Sequence, residues 1–181
     1  AGGRAPLIHV ELASNVDSPT PMFITGNSSG WRFQKSPDGH DWMGPLQEVG
    51  QSSTHLIASS SRVLMYHGSL MSYTDDDGAS FTAVANPPQS SGAGYKGIYF
   101  DNKFWLPCGL NGYATSENGV DWSAKSVRGG ASSYTICATD AVMVMAGLYA
   151  NVDGVLCNTR FSASTGASWS ENIIGLRRRD D

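Results

Sequence analysis

Charge is scarce in this 181-residue chain: Asp, Glu, Lys and Arg make up 15% of it, with 12 basic against 16 acidic residues. Its one basic run, Arg177-Arg178-Arg179, sits at the end and is followed by Asp180-Asp181. A nucleic-acid surface needs a basic stripe with interleaved aromatics, so that partner is set aside and 177–181 reads as a charged tail. Cysteine is scarcer still. Cys108, Cys137 and Cys157 are odd in number, which excludes a complete disulfide framework, and their spacing fits no zinc pattern. Each falls in a strand-like segment, where cysteine serves as a small buried hydrophobe. No apolar run reaches membrane-spanning length, so no membrane insertion is expected. The opening Ala1-Gly2-Gly3-Arg4 is no signal peptide, and a start without Met suits a processed chain or a piece of a longer one. Helical periodicity over three turns is missing as well.

What the chain has instead is glycine, 21 residues of it, and 10% aromatics, a mixture that suits short strands and many turns. Four times a polar turn ends in an aromatic residue. The copies are Ser36-Pro37-Asp38-Gly39-His40-Asp41-Trp42, Thr74-Asp75-Asp76-Asp77-Gly78-Ala79-Ser80-Phe81, Ser116-Glu117-Asn118-Gly119-Val120-Asp121-Trp122 and Ser162-Ala163-Ser164-Thr165-Gly166-Ala167-Ser168-Trp169. Their closing aromatics are 39, 41 and 47 residues apart. A period near forty marks one supersecondary unit written four times. In each copy the short oxygen-bearing side chains can bond backbone N–H groups two or three residues on, and Gly permits a positive φ. The aromatic supplies an apolar body to bury under the turn.

This pattern resembles the Asp-box, or bacterial neuraminidase repeat, Ser-x-Asp-x-Gly-x-x-Trp. Thr74–Phe81 and Ser162–Trp169 match its spacing, with Phe81 in place of Trp and Ser164 in place of Asp; the other two copies are one residue short. The resemblance covers almost the whole chain and implies an Asp-box β-propeller of the sialidase-like superfamily, which includes non-enzymatic propellers on phage tails. It also implies that the turns are structural. The residues so assigned are Ser36, Asp38, Gly39, Trp42, Thr74, Asp76, Gly78, Phe81, Ser116, Asn118, Gly119, Trp122, Ser162, Ser164, Gly166 and Trp169. In that family the box joins third and fourth strands on the face away from the ligand, so no metal is expected at Asp75-Asp76-Asp77.

The segments before each box repeat in the same order. In the third unit they are 95–100, a turn at Asp101-Asn102, 103–107, 113–116, the box and 122–127. The second unit gives 54–58, 62–67, 69–74 and 81–84, and the fourth 134–138, 142–146, 155–162 and 169–174. The first gives 7–12, 22–25, 31–36 and 42–49. Four short strands joined by hairpins make one blade. Gly26, Gly68, Gly109 and Gly147, each closing a second strand, repeat independently of the boxes. The expected fold is all-β: a single propeller domain over 1–176 with four-stranded antiparallel blades at about 5–50, 51–91, 92–131 and 132–176. Either four blades close a ring, which places 7–12 beside the fourth blade, or they form part of a larger ring.

By the same resemblance a ligand meets the face opposite the boxes, where loops between second and third strands and between blades gather. Candidate ligand-binding residues there are Arg128, Tyr113, Asn111 and Tyr149. Aligning first strands on Ile57, Ile98 and Ile136 adds His55, Lys96 and Tyr134 at one equivalent position. These Ser, Gly, Asn and Tyr-rich loops suit neutral sugars or a protein epitope. His9, His40 and His67 carry no assigned role.

Catalysis finds little support. A sialidase needs three convergent arginines, and Arg32, Arg62 and Arg160 fall away from Arg128. A general glycosidase needs two carboxylates roughly 5–10 Å apart in a cleft. Most Asp residues are taken by boxes and turns, which leaves Glu11, Glu48 and Asp153 scattered. The expectation is a non-catalytic recognition or assembly module without cofactor. It would bind a glycan or protein receptor, extracellularly or on a virion surface, as phage tail or fibre propellers do. The alternatives are a structural propeller docking onto other subunits and a degenerate sialidase or glycoside hydrolase.

Overall fold

The computed structural model describes residues 9–13, 22–26, 32–36, 40–41, 43–48, 55–67, 70–76, 80–88, 96–109, 112–125, 132–148, 157–163, 166 and 168–172. Among them are sixteen strands and no helix. The first sheet contains β1 (His9–Ala13), β2 (Met22–Gly26), β3 (Arg32–Ser36) and β4 (Met43–Glu48). The second contains β5 (His55–Ala58), β6 (Val63–His67), β7 (Leu70–Thr74) and β8 (Thr82–Ala83). The third contains β9 (Ile98–Phe100), β10 (Lys103–Pro107), β11 (Tyr113–Ser116) and β12 (Ser123–Lys125). The fourth contains β13 (Ser132–Ala138), β14 (Met143–Leu148), β15 (Cys157–Ser162) and β16 (Ser170–Asn172). Each sheet is an antiparallel meander with its strands in chain order. The all-β expectation holds, and so does its division into four-stranded units.

Short connections explain the meander. Between β9 and β10, Asp101 and Asn102 both hold positive φ, 50° and 55°, the backbone a tight two-residue hairpin turn needs. Ser59 and Thr139 do a related job in the second and fourth sheets. Each side-chain hydroxyl accepts from the backbone N–H three residues on, at Arg62 (3.0 Å) and Val142 (3.2 Å).

The sheets stand face to face, with the first strands as neighbours: β1 borders β5, β5 borders β9, and β9 and β10 border β13. Side chains alternate between the two faces of each strand, so successive residues meet different neighbouring sheets. Ile57, Leu64 and Tyr66 of the second sheet pack with Phe104 and Leu106 of the third. Trp105 and Tyr113, on the third sheet's other face, pack with Ile136, Met143 and Met145 of the fourth. Leu56, Val63 and Met65 form a further cluster on the remaining face of the second sheet. Hence β6 and β10 are buried along nearly their whole length: a middle sheet has a neighbour on each face.

One pair of sheets comes closer than packing alone requires. Lys96 and Thr135 form a parallel bridge, and the Ile136 N–H donates to the Lys96 carbonyl at 3.1 Å. Next to it, Gly97 makes room for the second sheet on the opposite side. A Cβ there would lie 2.4 Å from Ile57 Cδ1 and 2.5 Å from the Trp105 carbonyl oxygen, and the Gly97 N–H donates to the Tyr66 hydroxyl at 2.8 Å. The expected contact between residues 7–12 and the fourth blade is not seen: among the described residues β1 borders β5, and no comparable contact joins it to the fourth sheet.

Candidate functional site

The register fixes two ends for the stack of sheets. Val63 pairs with Thr74, Phe104 with Ser116 and Met143 with Ser162, so the polar turns and the first-to-second strand turns share one end. His55, Lys96 and Thr135 share one register position towards the other end.

At the turn end the oxygen-bearing side chains are occupied with one another. The Thr74 hydroxyl donates to Asp76 Oδ1 at 2.7 Å, and the same carboxylate accepts from Ser80 N–H (2.9 Å) and Ser80 Oγ (2.5 Å). In the third sheet the Ser116 hydroxyl donates to Asn118 Oδ1 at 3.1 Å and accepts from the Gly119 N–H at 2.8 Å. Asn118 Oδ1 also accepts from the N–H groups of Val120 and Asp121, at 2.9 and 2.8 Å. The Gly166 N–H donates to the Ser162 hydroxyl at 3.0 Å. Gly119 and Gly166 hold φ of 74° and 80°, which side chains disfavour. Asp38, Gly39, Trp42, Gly78 and Ser164 lie outside the described residues, and only the backbone of Ser36 is described, in β3.

The turns also reach the preceding sheet. Trp169 Nε1 donates to the Tyr113 hydroxyl at 3.2 Å, and that hydroxyl donates to the Gly166 carbonyl at 3.3 Å. Trp122 Nε1 donates to the Gly119 carbonyl at 3.0 Å, while Phe81 packs on the Leu56 cluster. Arg62 is a residue that the repeat pattern did not single out. Its guanidinium grips both oxygens of Asp75 at 2.6 and 2.5 Å, donates to the Asn118 carbonyl of the next sheet and lies 4.0 Å over the Tyr73 ring. The bond to Asp75 raises the Arg62 pKa against the opposing effect of burial. Lys103 and Glu117 repeat the pair in the third sheet at 3.6 Å. The register shows the signal: in both sheets the residue before β6 or β10's first apolar position faces the residue after the turn's Ser or Thr.

Two sequence assignments change at the opposite end. Tyr113 is buried, 6% exposed, because its ring stacks on Trp105 at 5.6 Å and its hydroxyl is engaged between two sheets; it is a wall residue rather than a ligand contact. Tyr134 does not share the position of His55 and Lys96. His55 pairs with Tyr66, and the matching pair in the fourth sheet is Thr135 with Ala146. The offset arises at the apolar anchor: Cys137, not Ile136, holds the register position of Ile57 and Ile98, and a one-residue slip turns a side chain to the other face. His55, half-buried, tilts against Tyr66 with ring centroids 5.4 Å apart, and Lys96 is exposed. Asn111, Arg128 and Tyr149 lie outside the described residues, as does the side chain of Tyr134.

The described carboxylate side chains gather at one end, with Arg62 and Lys103 among them. Every carboxylate whose side chain is described (Asp41, Asp75, Asp76, Asp101, Glu117, Asp121 and Asp140) is exposed and lies on a turn at the box end. Lys96 and Lys125 lie at the other end, Lys125 opposite Tyr113 in register. Among the described residues no group of three His, Cys, Asp or Glu side chains could hold a metal ion. Cysteine also departs from expectation: Cys108 is buried, and its thiol pKa is pushed up to about 11 by desolvation, but Cys137 is exposed.

No family model and no curated protein matches the sequence. Solved structures do match its fold. A GH74 enzyme from Niastella koreensis superposes with a TM-score of 0.58 at 17% identity, over 88% of this chain and 23% of that one. An ancestral GH74 enzyme gives 0.61 at 14% identity, over 94% and 26%. The fold is propeller-like. Both neighbours are β-propeller glycoside hydrolases. A computationally designed protein, Ika8, gives 0.59 at 8% identity, over 94% of this chain and 50% of that one. The chain thus spans about a quarter of the length of the two hydrolases and half that of the designed protein.

Proposed function

We propose that this chain is a non-catalytic carbohydrate-recognition module whose ligand meets the end opposite the polar turns. The observation that carries the reading is the contrast between the two ends of the sheets. The carboxylates whose side chains are described lie at the turn end with Arg62 and Lys103, where hydrogen bonds within and between sheets engage Asp75, Asp76 and Asp121. His55, Lys96 and Thr135 share a register position towards the other end, and Lys125 lies at that end too. Lys96 and Lys125, for which no ion pair is seen among the described residues, favour a sugar bearing a carboxylate or sulfate over a neutral one. The turns themselves are read as Asp-boxes with a structural role. The setting is taken to be extracellular or a virion surface, where a phage tail or fibre module would engage a receptor.

Likeness to glycoside hydrolases supports carbohydrate as the ligand class, and it favours a second reading, a degenerate hydrolase. Fold alone does not transfer chemistry. A hydrolase needs a pair of carboxylates in a cleft, and the described carboxylates stand exposed on turns instead. Binding to an array of acidic and neutral oligosaccharides tests the proposal, using the chain and its Lys96→Ala and Lys125→Ala variants. Retention of acidic glycans that is lost in both variants is the expected result. A blank array, or retention unchanged in both, contradicts it; release of reducing sugar from any of them supports the hydrolase reading.

A further inference from the structure

The stack of four sheets ends on an apolar face that nothing described in the chain covers. In β6 and β10 consecutive residues are buried, because each sheet is packed on both sides. In β14 burial alternates: Met143 and Met145, which face the third sheet, are buried, and Val144 and Ala146 are only half-buried. By register Val144 stands where Leu64 and Trp105 stand, and both of those are buried against the following sheet. Cys137 stands where Ile57 and Ile98 stand. Ile57 is fully buried and Ile98 packs on the fourth sheet, whereas Cys137 is exposed. The residue types repeat a packing face; its partner sheet is what is missing.

The first sheet carries the matching half. Val10, Leu12 and Phe23 hold the register positions of Leu56, Ala58 and Val63, the residues through which the second sheet presents an apolar face. Yet among the described residues β1 borders β5, and no comparable contact joins the first sheet to the fourth. We propose that the fourth sheet of one copy of this chain packs on the first sheet of a second copy, and the reverse, so that two chains close one ring. Two head-to-tail contacts of one kind close when the rotation is a half-turn, and closure leaves no open face. The designed protein fits the same count: 94% of this chain overlays 50% of that chain, so as much chain again lies outside the overlay there.

The native mass of the 181-residue chain, measured by light scattering and sedimentation over a micromolar range, tests this. Twice the 19.2 kDa chain mass is expected, with Cys137 protected from a maleimide and becoming reactive on dilution. Val144→Arg places a charge in the proposed seam and should give the single-chain mass. Ala124→Arg, on the exposed outer strand β12, should leave the mass doubled. Because the wild-type mass is read first, a Val144→Arg variant that fails to fold does not decide the matter. A single-chain mass overturns the proposal whether Cys137 is reactive or not, since protection would mean the ring closes within one chain. A doubled mass with Cys137 fully reactive, or an assembly larger than two chains, overturns it as well.

Discussion

Gly166→Ala isolates the contact by which a polar turn pins its sheet to the one before. The residue has φ of 80°, and a Cβ built there would lie 2.4 Å from Trp105 Cη2 and 2.6 Å from Cζ3. Trp105 has little freedom to yield. It is 4% exposed, stacks on Tyr113 and donates from Nε1 to the Phe100 carbonyl at 3.0 Å. A left-handed backbone costs a residue with a Cβ about 1–2 kcal/mol. Forcing one extra carbon into a packed core costs about 1–3 kcal/mol more. The sum is about 2–5 kcal/mol, or a melting temperature lower by about 4–20 °C in a domain of this size. Urea unfolding followed by far-ultraviolet circular dichroism reads the change directly. A loss within about 0.5 kcal/mol, the range of a neutral surface substitution, would refute the picture of the turn clamped against Trp105.

Further outcomes follow from the same contacts. Arg62→Lys keeps the charge but gives up the two-pronged grip on Asp75 and the reach to the Asn118 carbonyl. Since the Asp75 side chain is 47% exposed, water discounts the pair, and a loss of about 1 kcal/mol in urea unfolding is expected; no loss would mean the bridge between sheets is idle. Cys108 has a folded-state pKa of about 11, above that of an exposed thiol. The unfolded chain therefore ionises first, and stability falls as pH rises from about 9 towards 11. Cys108→Ser should flatten that stretch of the pH–stability curve, and an unchanged curve would assign the slope elsewhere.

Much of the fold was legible in the sequence because turns and closing aromatics recur in register. Each of the sixteen strands falls within a residue or a few of its expected segment, as at β10, expected over 103–107 and found there. The inter-sheet chemistry was harder to read. Tyr113 looked like a loop residue on a ligand face, but its fate depends on Trp105 and Trp169, which lie in different repeats. Tyr134 was misaligned because Ile136 resembles Ile57 and Ile98 in type, whereas the register gives their position to Cys137. Arg62 was legible as an arginine away from Arg128 but not as a bridge, because its partners Asp75 and Asn118 are 13 and 56 residues away and only the register aligns them. Cys137 breaks its expected burial for a larger reason: the sheet that would cover it belongs to no described part of this chain.

The central claim is that the polar turns are structural and the ligand meets the opposite end. Amide chemical-shift mapping during titration with an acidic oligosaccharide tests it most directly. The account predicts shifts at Lys96, Thr135 and Lys125, with Asp76, Ser80 and Asn118 to Asp121 unmoved. Shifts confined to those turn residues would contradict it.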